Sequence, residues 1–329
     1  MKTQAMLVRK YGGPEVLEHA EIEVPEPGAG EVLLRHLAIG VNFVDIYYRA
    51  GQFGQDSPPL PAIVGVQGAG VVEAVGPALK SSSSLAVGDL VGYAGQPGAY
   101  VEHRVLAADR LIKLPAGMSA ELAAASLVRG LTAEYLLRRL YKVQPGDAIL
   151  LHAAAGGVGR IACQWAKALG ATVIGTVGSD EKARIAAAHG CDHPIVYTRE
   201  DFVARVMEIT AGRGVPVVYD SVGRDTFMRS LDCLRPMGMA INFGTASGQV
   251  ENFPLQRLLK NSLIVTRPTL TTWIADRDDY VRAAAAFFEV VASGAVRVEV
   301  GKRYPLREAA RAQIDLESRR ASGMPILIP

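Results

Sequence analysis

Short apolar runs, cut by Gly and Pro, dominate the first 125 or so residues. Ala5-Met-Leu-Val8 and Glu31-Val-Leu-Leu-Arg-His-Leu-Ala-Ile39 have the composition of strands, and Gly12-Gly13-Pro14 and Pro25-Glu-Pro-Gly28 that of turns. Gly65 to Gly76 reads as a glycine-studded strand pair, and Val87-Gly-Asp-Leu-Val91 as a tight turn into a strand. Many short strands with this punctuation predict a partly closed barrel. Ser81 to Ser84 reads as a solvated loop.

Beyond residue 125 or so the pattern alternates. Ala120 to Leu140 is Ala- and Leu-rich and predicts helix. Strands are predicted at Asp147–His152, Thr172–Val177, Pro194–Tyr197, Val215–Asp220, Met239–Phe243 and Leu263–Thr266. Between them lie helical stretches at Ile161–Leu169, Asp180–His189, Arg199–Ala211 and Thr226–Leu234. Single helices between strands predict a doubly wound parallel sheet, with ligands at the carboxyl ends of the strands. The expected fold class is therefore α/β, a β-rich domain plus a Rossmann domain. The tail adds a helix, Tyr280 to Ala292, and strands Arg297-Val-Glu-Val300 and Ile326-Leu-Ile328. It is expected to return to the first domain, giving 1–125 plus 267–329 and 126–266.

The chemistry begins at His152-Ala-Ala-Ala-Gly-Gly-Val-Gly-Arg160. Strand, glycine turn and helix come in the order that a dinucleotide fingerprint requires. Ile161, Trp165, Ala168 and Leu169 form one apolar helix face, and Gly170 ends it. The match to G-x-G-x-x-G is Ala154-x-Gly156-x-x-Gly159, with Ala at the first position. Such a turn also occurs in proteins that bind nothing, so the end of the second strand decides. An NAD site carries an acid there. Here Gly175-Thr-Val-Gly178 runs to Ser179 before any acid, Asp180 is expected as the next helix's N-cap, and Lys182 lies in its first turn. Hydroxyls and a cation in place of an acid suit a 2′-phosphate and point to NADPH.

Net charge is +2 and hydrophobic residues make up 49%, so neither nucleic acid nor an anionic membrane is an expected main partner. No apolar run has the length of a span, and the N-terminus lacks a signal peptide's apolar core. Cys163, Cys191 and Cys233 are far apart, which argues against a structural zinc site or disulfides and for a cytoplasmic protein. His103 and His152 read as satisfied structural groups.

Asn42-Phe-Val-Asp45, Gly130-Leu-Thr132, His152 to Gly159, Ala162 to Gly170, Val217 to Thr226 and Leu316-Glu-Ser-Arg319 together resemble the NADPH:quinone oxidoreductases, the zeta-crystallin-like branch of the medium-chain dehydrogenase/reductase superfamily. The similarity runs nearly end to end. It implies a GroES-like first domain and an enzyme moving hydride from NADPH to a small quinone. It places Gly156, Gly157 and Val158 under the pyrophosphate, and Gly175, Thr176, Val177, Ser179, Lys182, Tyr197 and Arg319 around the 2′-phosphate end. Ser221, Phe243, Gly244 and Val265, Thr266 and Arg267 would line the cofactor cleft. Thr132, Asn42, Phe43 and Asp45 would be near the nicotinamide, with Asn42, Asp45 and Tyr47 the catalytic candidates. On the residues alone, Phe243 has a second reading as a core side chain, though its place at a strand's end favours the cleft, Tyr197 one as a half-buried strand tyrosine, Arg319 beside Arg320 one as a solvated face, and Asn42 and Asp45 one as turn or cap residues.

Zinc-dependent members of the superfamily carry Gly-His-Glu where this chain has Gly65-Val66-Gln67, and a cysteine ligand where it has Asp45. Val66 cannot ligate zinc, and no cysteine precedes Cys163, so no catalytic metal is expected. Without a Lewis acid the acceptor must already draw electrons, as quinones do. The protein then orients the reactants and excludes water. Tyr47 is a candidate proton donor or simply a pocket wall, and Phe53 stands where the family often has a second tyrosine. Two alternatives remain. One is reduction of an activated C=C bond, with the pocket around Tyr47, Phe53 and Tyr93 deciding. The other is a cofactor-binding structural or RNA-binding role, which the near-neutral charge disfavours. A homodimer through the exposed edge strand Leu263–Thr266 is also expected.

Overall fold

The computed structural model describes residues 1–77, 85–318 and 323–329. Ser81 to Ser84 and Arg319 lie outside the described residues. The chain divides into two compact units, Met1–Val128 with Val298–Pro329, and Arg129–Arg297.

The first unit begins with strands β1 (Lys2–Val8), β2 (Leu17–Glu23) and β3 (Glu31–Gly40), then helix α1 (Phe43–Arg49). Strands β4 (Ala62–Ile63), β5 (Gln67–Val75), β6 (Leu90–Ala94), β7 (His103–Ala107) and β8 (Ile112–Lys113) come next, then helix α2 (Ala120–Glu134). β1 is the middle of a three-stranded sheet with β2 and β4. In the larger sheet β5 lies between β3 and β6, β6 pairs with β8, and β3 also pairs with β7. Along β3 the buried Val32, Leu34 and His36 alternate with half-exposed Glu31, Leu33 and Arg35, the signature of a strand with one face on a core. That core gathers Leu34, Ile39, Val72, Tyr100 and Leu111.

Within Gly65 to Gly76 a single strand forms, β5, rather than the predicted pair. Its glycines serve close packing instead of a turn. A Cβ on Gly68 would come within 2.7 Å of the His36 ring, and one on Gly70 would overlap the Arg35 carbonyl. α1 is a helix that the apolar pattern does not announce, although Asn42 and Asp45 have the spacing of an N-cap and its N3 partner.

The second unit carries strands β9 (Ala148–His152), β10 (Thr172–Val177), β11 (His193–Val196), β12 (Val215–Asp220), β13 (Leu234–Asn242) and β14 (Ile264–Thr266). Helices α3 (Gly157–Ala168), α4 (Asp180–Ala188), α5 (Phe202–Ile209), α6 (Phe227–Ser230), α7 (Leu270–Trp273) and α8 (Arg277–Ala292) are placed between and after them. All strand pairs are parallel, in the order β11-β10-β9-β12-β13-β14. The order reverses between β9 and β12, the position where doubly wound sheets bind ligands. Every residue of β12 is buried, as expected of a parallel strand covered on both faces.

The tail then adds β15 (Val300–Pro305), α9 (Ala309–Glu317) and β16 (Met324–Ile328) to the first unit. β16 pairs with β3 and β15. Residues 267–297 differ from expectation and belong to the second unit. The Phe287 ring fills the space a side chain on Gly130 would need, and Arg139 Nη2 donates to the Trp273 carbonyl at 3.0 Å. Arg297 exchanges backbone hydrogen bonds with the Gln164 amide at 2.9 and 3.0 Å, and the strand predicted at Arg297–Val300 begins only at Val300.

Candidate active site

The glycine-rich turn sits at the carboxyl end of β9, and Gly156 caps α3 without a side chain. Ala153 adopts φ of 54°, and its carbonyl accepts the Gly156 N–H at 2.8 Å, which tightens the turn. A Cβ on Gly159 would lie 2.6 Å from the Ala154 carbonyl oxygen and overlap that of Ala153. Only glycine lets α3 start so close to the strand. Gly156 is exposed, and Gly157 and Val158 are half-buried. Backbone N–H groups at a helix start capped by glycine form a cradle that a pyrophosphate fits.

At the end of β10 the structure separates the predicted residues. Gly175, Thr176 and Val177 are buried inside the sheet. A Cβ on Gly175 would meet both the Ala154 Cβ and the Cys191 Sγ at 2.6 Å. Thr176 Oγ1 is 2.7 Å from His152 Nδ1, whose other nitrogen is 2.8 Å from Ser230 Oγ. His152 is thus a satisfied buried histidine, and burial lowers its pKa. Ser179, not Asp180, caps α4, its hydroxyl accepting the Lys182 N–H at 3.3 Å. Asp180 is turned to Arg199, with both carboxylate oxygens at 2.6 and 2.7 Å. Lys182 and Tyr197 are half-buried, and the Tyr197 hydroxyl reaches the Gly178 position, 3.7 Å from where a Cβ would stand. Ser179, Lys182 and Tyr197 therefore gather at the ends of β10 and β11. The Ser179 hydroxyl and Lys182 stand where an NAD site carries an acid, which suits a phosphorylated ribose.

Ser221, Phe243 and Gly244 come directly after β12 and β13 and are half-buried. A Cβ on Gly244 would lie 2.8 Å from the Ser221 carbonyl oxygen. Two residues missed in the sequence hold these loops. The buried Asp220 carboxylate accepts N–H groups of Val222 and Gly223 at 2.7 and 2.9 Å and the Thr226 hydroxyl at 2.7 Å. Asn242 donates to the Gly244 carbonyl at 3.0 Å and accepts from the exposed Arg267. Val265 and Thr266 are half-buried on the edge strand β14. Thr132 is buried on α2.

In the first unit the catalytic candidates lie on and before α1. Asp45 is 0% exposed. Its Oδ2 accepts the Asn42 N–H at 2.8 Å and the Tyr100 hydroxyl at 3.0 Å, so it fixes the start of α1 rather than facing solvent. The Asn42 amide donates to Gln67 Oε1 at 3.2 Å. Gln67 in turn donates to the Ala123 carbonyl at 3.0 Å and to that of Ala124. Phe43 and Tyr47 are one helical turn apart on α1, with ring centroids 6.5 Å apart, and Phe53 meets Tyr47 edge-on at 5.9 Å. Phe43 and Tyr47 are half-buried, and Phe53 is exposed. Tyr93, expected in the same pocket, is fully buried instead, its hydroxyl 2.8 Å from His36 Nε2 and accepting from Arg104 at 3.1 Å.

Two family models match the chain, an alcohol dehydrogenase GroES-like domain over residues 28–116 and a zinc-binding dehydrogenase over residues 157–289. A quinone oxidoreductase of Pseudomonas aeruginosa is 50% identical, over 97% of each chain. The chain belongs to the quinone oxidoreductase family. The crystal structure of an Escherichia coli quinone oxidoreductase complexed with NADPH is 46% identical and superposes with a TM-score of 0.94, covering 99% of this chain and 100% of that one. A 2-haloacrylate reductase of a Burkholderia species is 43% identical, over 99% of this chain and 98% of that one.

The residues of the first unit do not support the zinc that one family description names. Val66 is a buried apolar side chain, Gln67 is committed to Asn42 and two helix carbonyls, and Asp45 to Asn42 and Tyr100. No three His, Cys, Asp or Glu side chains come together as a ligand set among the described residues. These residues do not fit a catalytic zinc. Among the described residues no helix is long and apolar enough to cross a membrane.

Proposed function

We propose that this chain transfers hydride from NADPH to quinones without a metal. The observation that carries the reading is the buried network of Asp45, Asn42 and Gln67. It stands where zinc-dependent relatives would need metal ligands, and it is built of a committed carboxylate and amides. An acceptor reduced there must be electron-poor by itself, which quinones are.

NADPH, when bound, supplies the hydride. The backbone of Gly156, Gly157 and Val158 holds the pyrophosphate. Ser179, Lys182 and Tyr197 hold the 2′-phosphate, with Lys182 supplying the charge. Ser221, Phe243, Gly244 and Val265, Thr266 and Arg267 form the cleft wall, and Thr132 backs the nicotinamide. Phe43, Tyr47 and Phe53 offer a planar acceptor aromatic edges and faces. Tyr47 donates a hydrogen bond or proton to the oxygen that becomes a hydroquinone hydroxyl, and solvent returns the proton. Asn42 and Asp45 act as positioning residues. Initial rates with 1,4-benzoquinone, a naphthoquinone and 2-chloroacrylate test the reading. Faster turnover of both quinones is expected. Turnover of 2-chloroacrylate alone would favour C=C reduction, the reading that the similarity to the 2-haloacrylate reductase supports.

We further propose a homodimer paired through β14. This strand is a sheet edge, and beside it Leu255 and Leu259 are 71% and 81% exposed and Ile264 is 48% exposed. A second copy would cover both the edge and the apolar side chains. Sedimentation at micromolar concentration should show a dimer. The three free, buried thiols suit the reducing cytosol, where we place the protein.

A further inference from the structure

We propose that Gln313, on the C-terminal helix α9, is a positioning residue for the acceptor. The inference rests on the quinone reading of α1. Gln313 is 0% exposed, and both ends of its amide are used. Its Oε1 accepts from Arg49 Nη1 at 2.6 Å. Its Nε2 donates to the Tyr100 hydroxyl at 3.3 Å. Tyr100 directs its own proton to Asp45 Oδ2 at 3.0 Å, and the same oxygen takes the Asn42 N–H. Arg49 is 3% exposed and also bonds the Gly12 carbonyl at 3.1 Å and Glu317 at 3.0 Å.

One amide therefore ties both ends of α1. Arg49 is the last residue of the helix, and Asn42 and Asp45 form its first turn. Between these anchors stand Phe43 and Tyr47. A helix of only seven residues has little stability of its own, so its pitch depends on its anchors. The direction of each bond is forced. Arg49 can only donate, so it takes the Gln313 oxygen and leaves the Gln313 NH2 for Tyr100. The Tyr100 hydroxyl then accepts from Gln313 and donates to Asp45. Burial, and then the Asp45 charge, push the Tyr100 phenol well above its usual pKa, so it remains a donor. A side chain at position 313 without both functions breaks the chain of bonds at one end of α1 or the other.

The test uses the full chain. Gln313→Leu keeps size and removes the bonds to Arg49 and Tyr100, while Tyr100→Phe keeps the Arg49 bond and removes those to Gln313 and Asp45. Naphthoquinone affinity is measured by calorimetry on protein loaded with NADP⁺, which cannot donate hydride. The NADPH Kd and steady-state constants are measured alongside. Both variants should weaken naphthoquinone and raise its KM about tenfold, a part of what the two broken buried hydrogen bonds cost. The NADPH Kd should stay within about twofold, and kcat at saturating quinone should fall far less than kcat/KM. If Gln313→Leu does not fold, Tyr100→Phe decides by the same readout. Folded variants with unchanged naphthoquinone Kd and KM would overturn the proposal, as would equal losses of NADPH and naphthoquinone binding. A wild-type protein that binds naphthoquinone without reducing it would sink the quinone-reductase reading alone, and the Kd shift would still judge Gln313. Wild-type protein that does not bind naphthoquinone overturns both.

Discussion

The cofactor end of the second unit and the α1 region of the first are held in place by different materials. Around Gly156 the shape comes from backbone, with Gly159 and Gly175 leaving room that any side chain would fill. Around α1 it comes from buried polar side chains that reach across the sequence, Arg49 to Gln313 spanning 264 positions. Backbone shape depends on which residue lacks a Cβ. Side-chain shape depends on every donor finding its acceptor. The first should fail by steric overlap, and the second by unpaired polar groups.

The largest effect that sharpens this contrast is expected at Gly159. Gly159→Val would drive carbon into the Ala153 and Ala154 carbonyls. Turn and helix start would separate, with a loss of about 3 kcal/mol or more and of NADPH binding by fluorescence titration. A variant that still binds NADPH tightly would break the backbone side of the comparison. Asp45→Leu comes next. It leaves the Tyr100 hydroxyl and the Asn42 N–H without their acceptor in a buried site, at about 2–4 kcal/mol by urea unfolding. NADPH affinity should hardly change, because this damage belongs to the other unit. Lys182→Ala should cost little stability but weaken NADPH by about tenfold or more, while NADH binding stays nearly constant. Equal losses for the two cofactors would remove Lys182 from the 2′-phosphate.

A smaller effect appears with pH. His36 is buried, which with Arg104 nearby lowers its pKa to about 3. The unfolded chain takes up the proton near the ordinary value of about 6.5, and the folded chain does not. Stability should therefore fall as pH drops from about 6.5 toward about 3, by up to about 1.4 kcal/mol per pH unit for this residue. His36→Gln should show a shallower slope in urea midpoints between about pH 7 and pH 5. An identical slope would show that His36 is not the group responsible.

The same difference explains what could be read from the sequence. The parallel sheet is legible because its strands are short apolar runs between helical stretches, and the turn is legible because its glycines are local. Lys182 is visible as a cation where an acid is missing. Resemblance names Gly175 and Thr176, and the pleat places them under Ala154 and beside His152, neighbours that no local pattern announces. Tyr93 is expected in the pocket, but β6 turns it into the core. Gln67, Tyr100, Asp220 and Gln313 are not visible. Each acts through a partner set by the fold, and a lone Gln or Tyr in a sequence does not reveal what it will bond. Residues 267–297 fall to the wrong unit in the sequence because periodicity says that α8 is amphipathic without saying which core its Phe287 will fill.

The most direct measurement is the initial rate of NADPH and NADH oxidation, side by side, with 1,4-benzoquinone and with or without a chelator. Rapid oxidation of NADPH, slow oxidation of NADH and no effect of the chelator are expected. Equal rates with the two cofactors, or activity lost on chelation, would contradict metal-free, NADPH-dependent reduction.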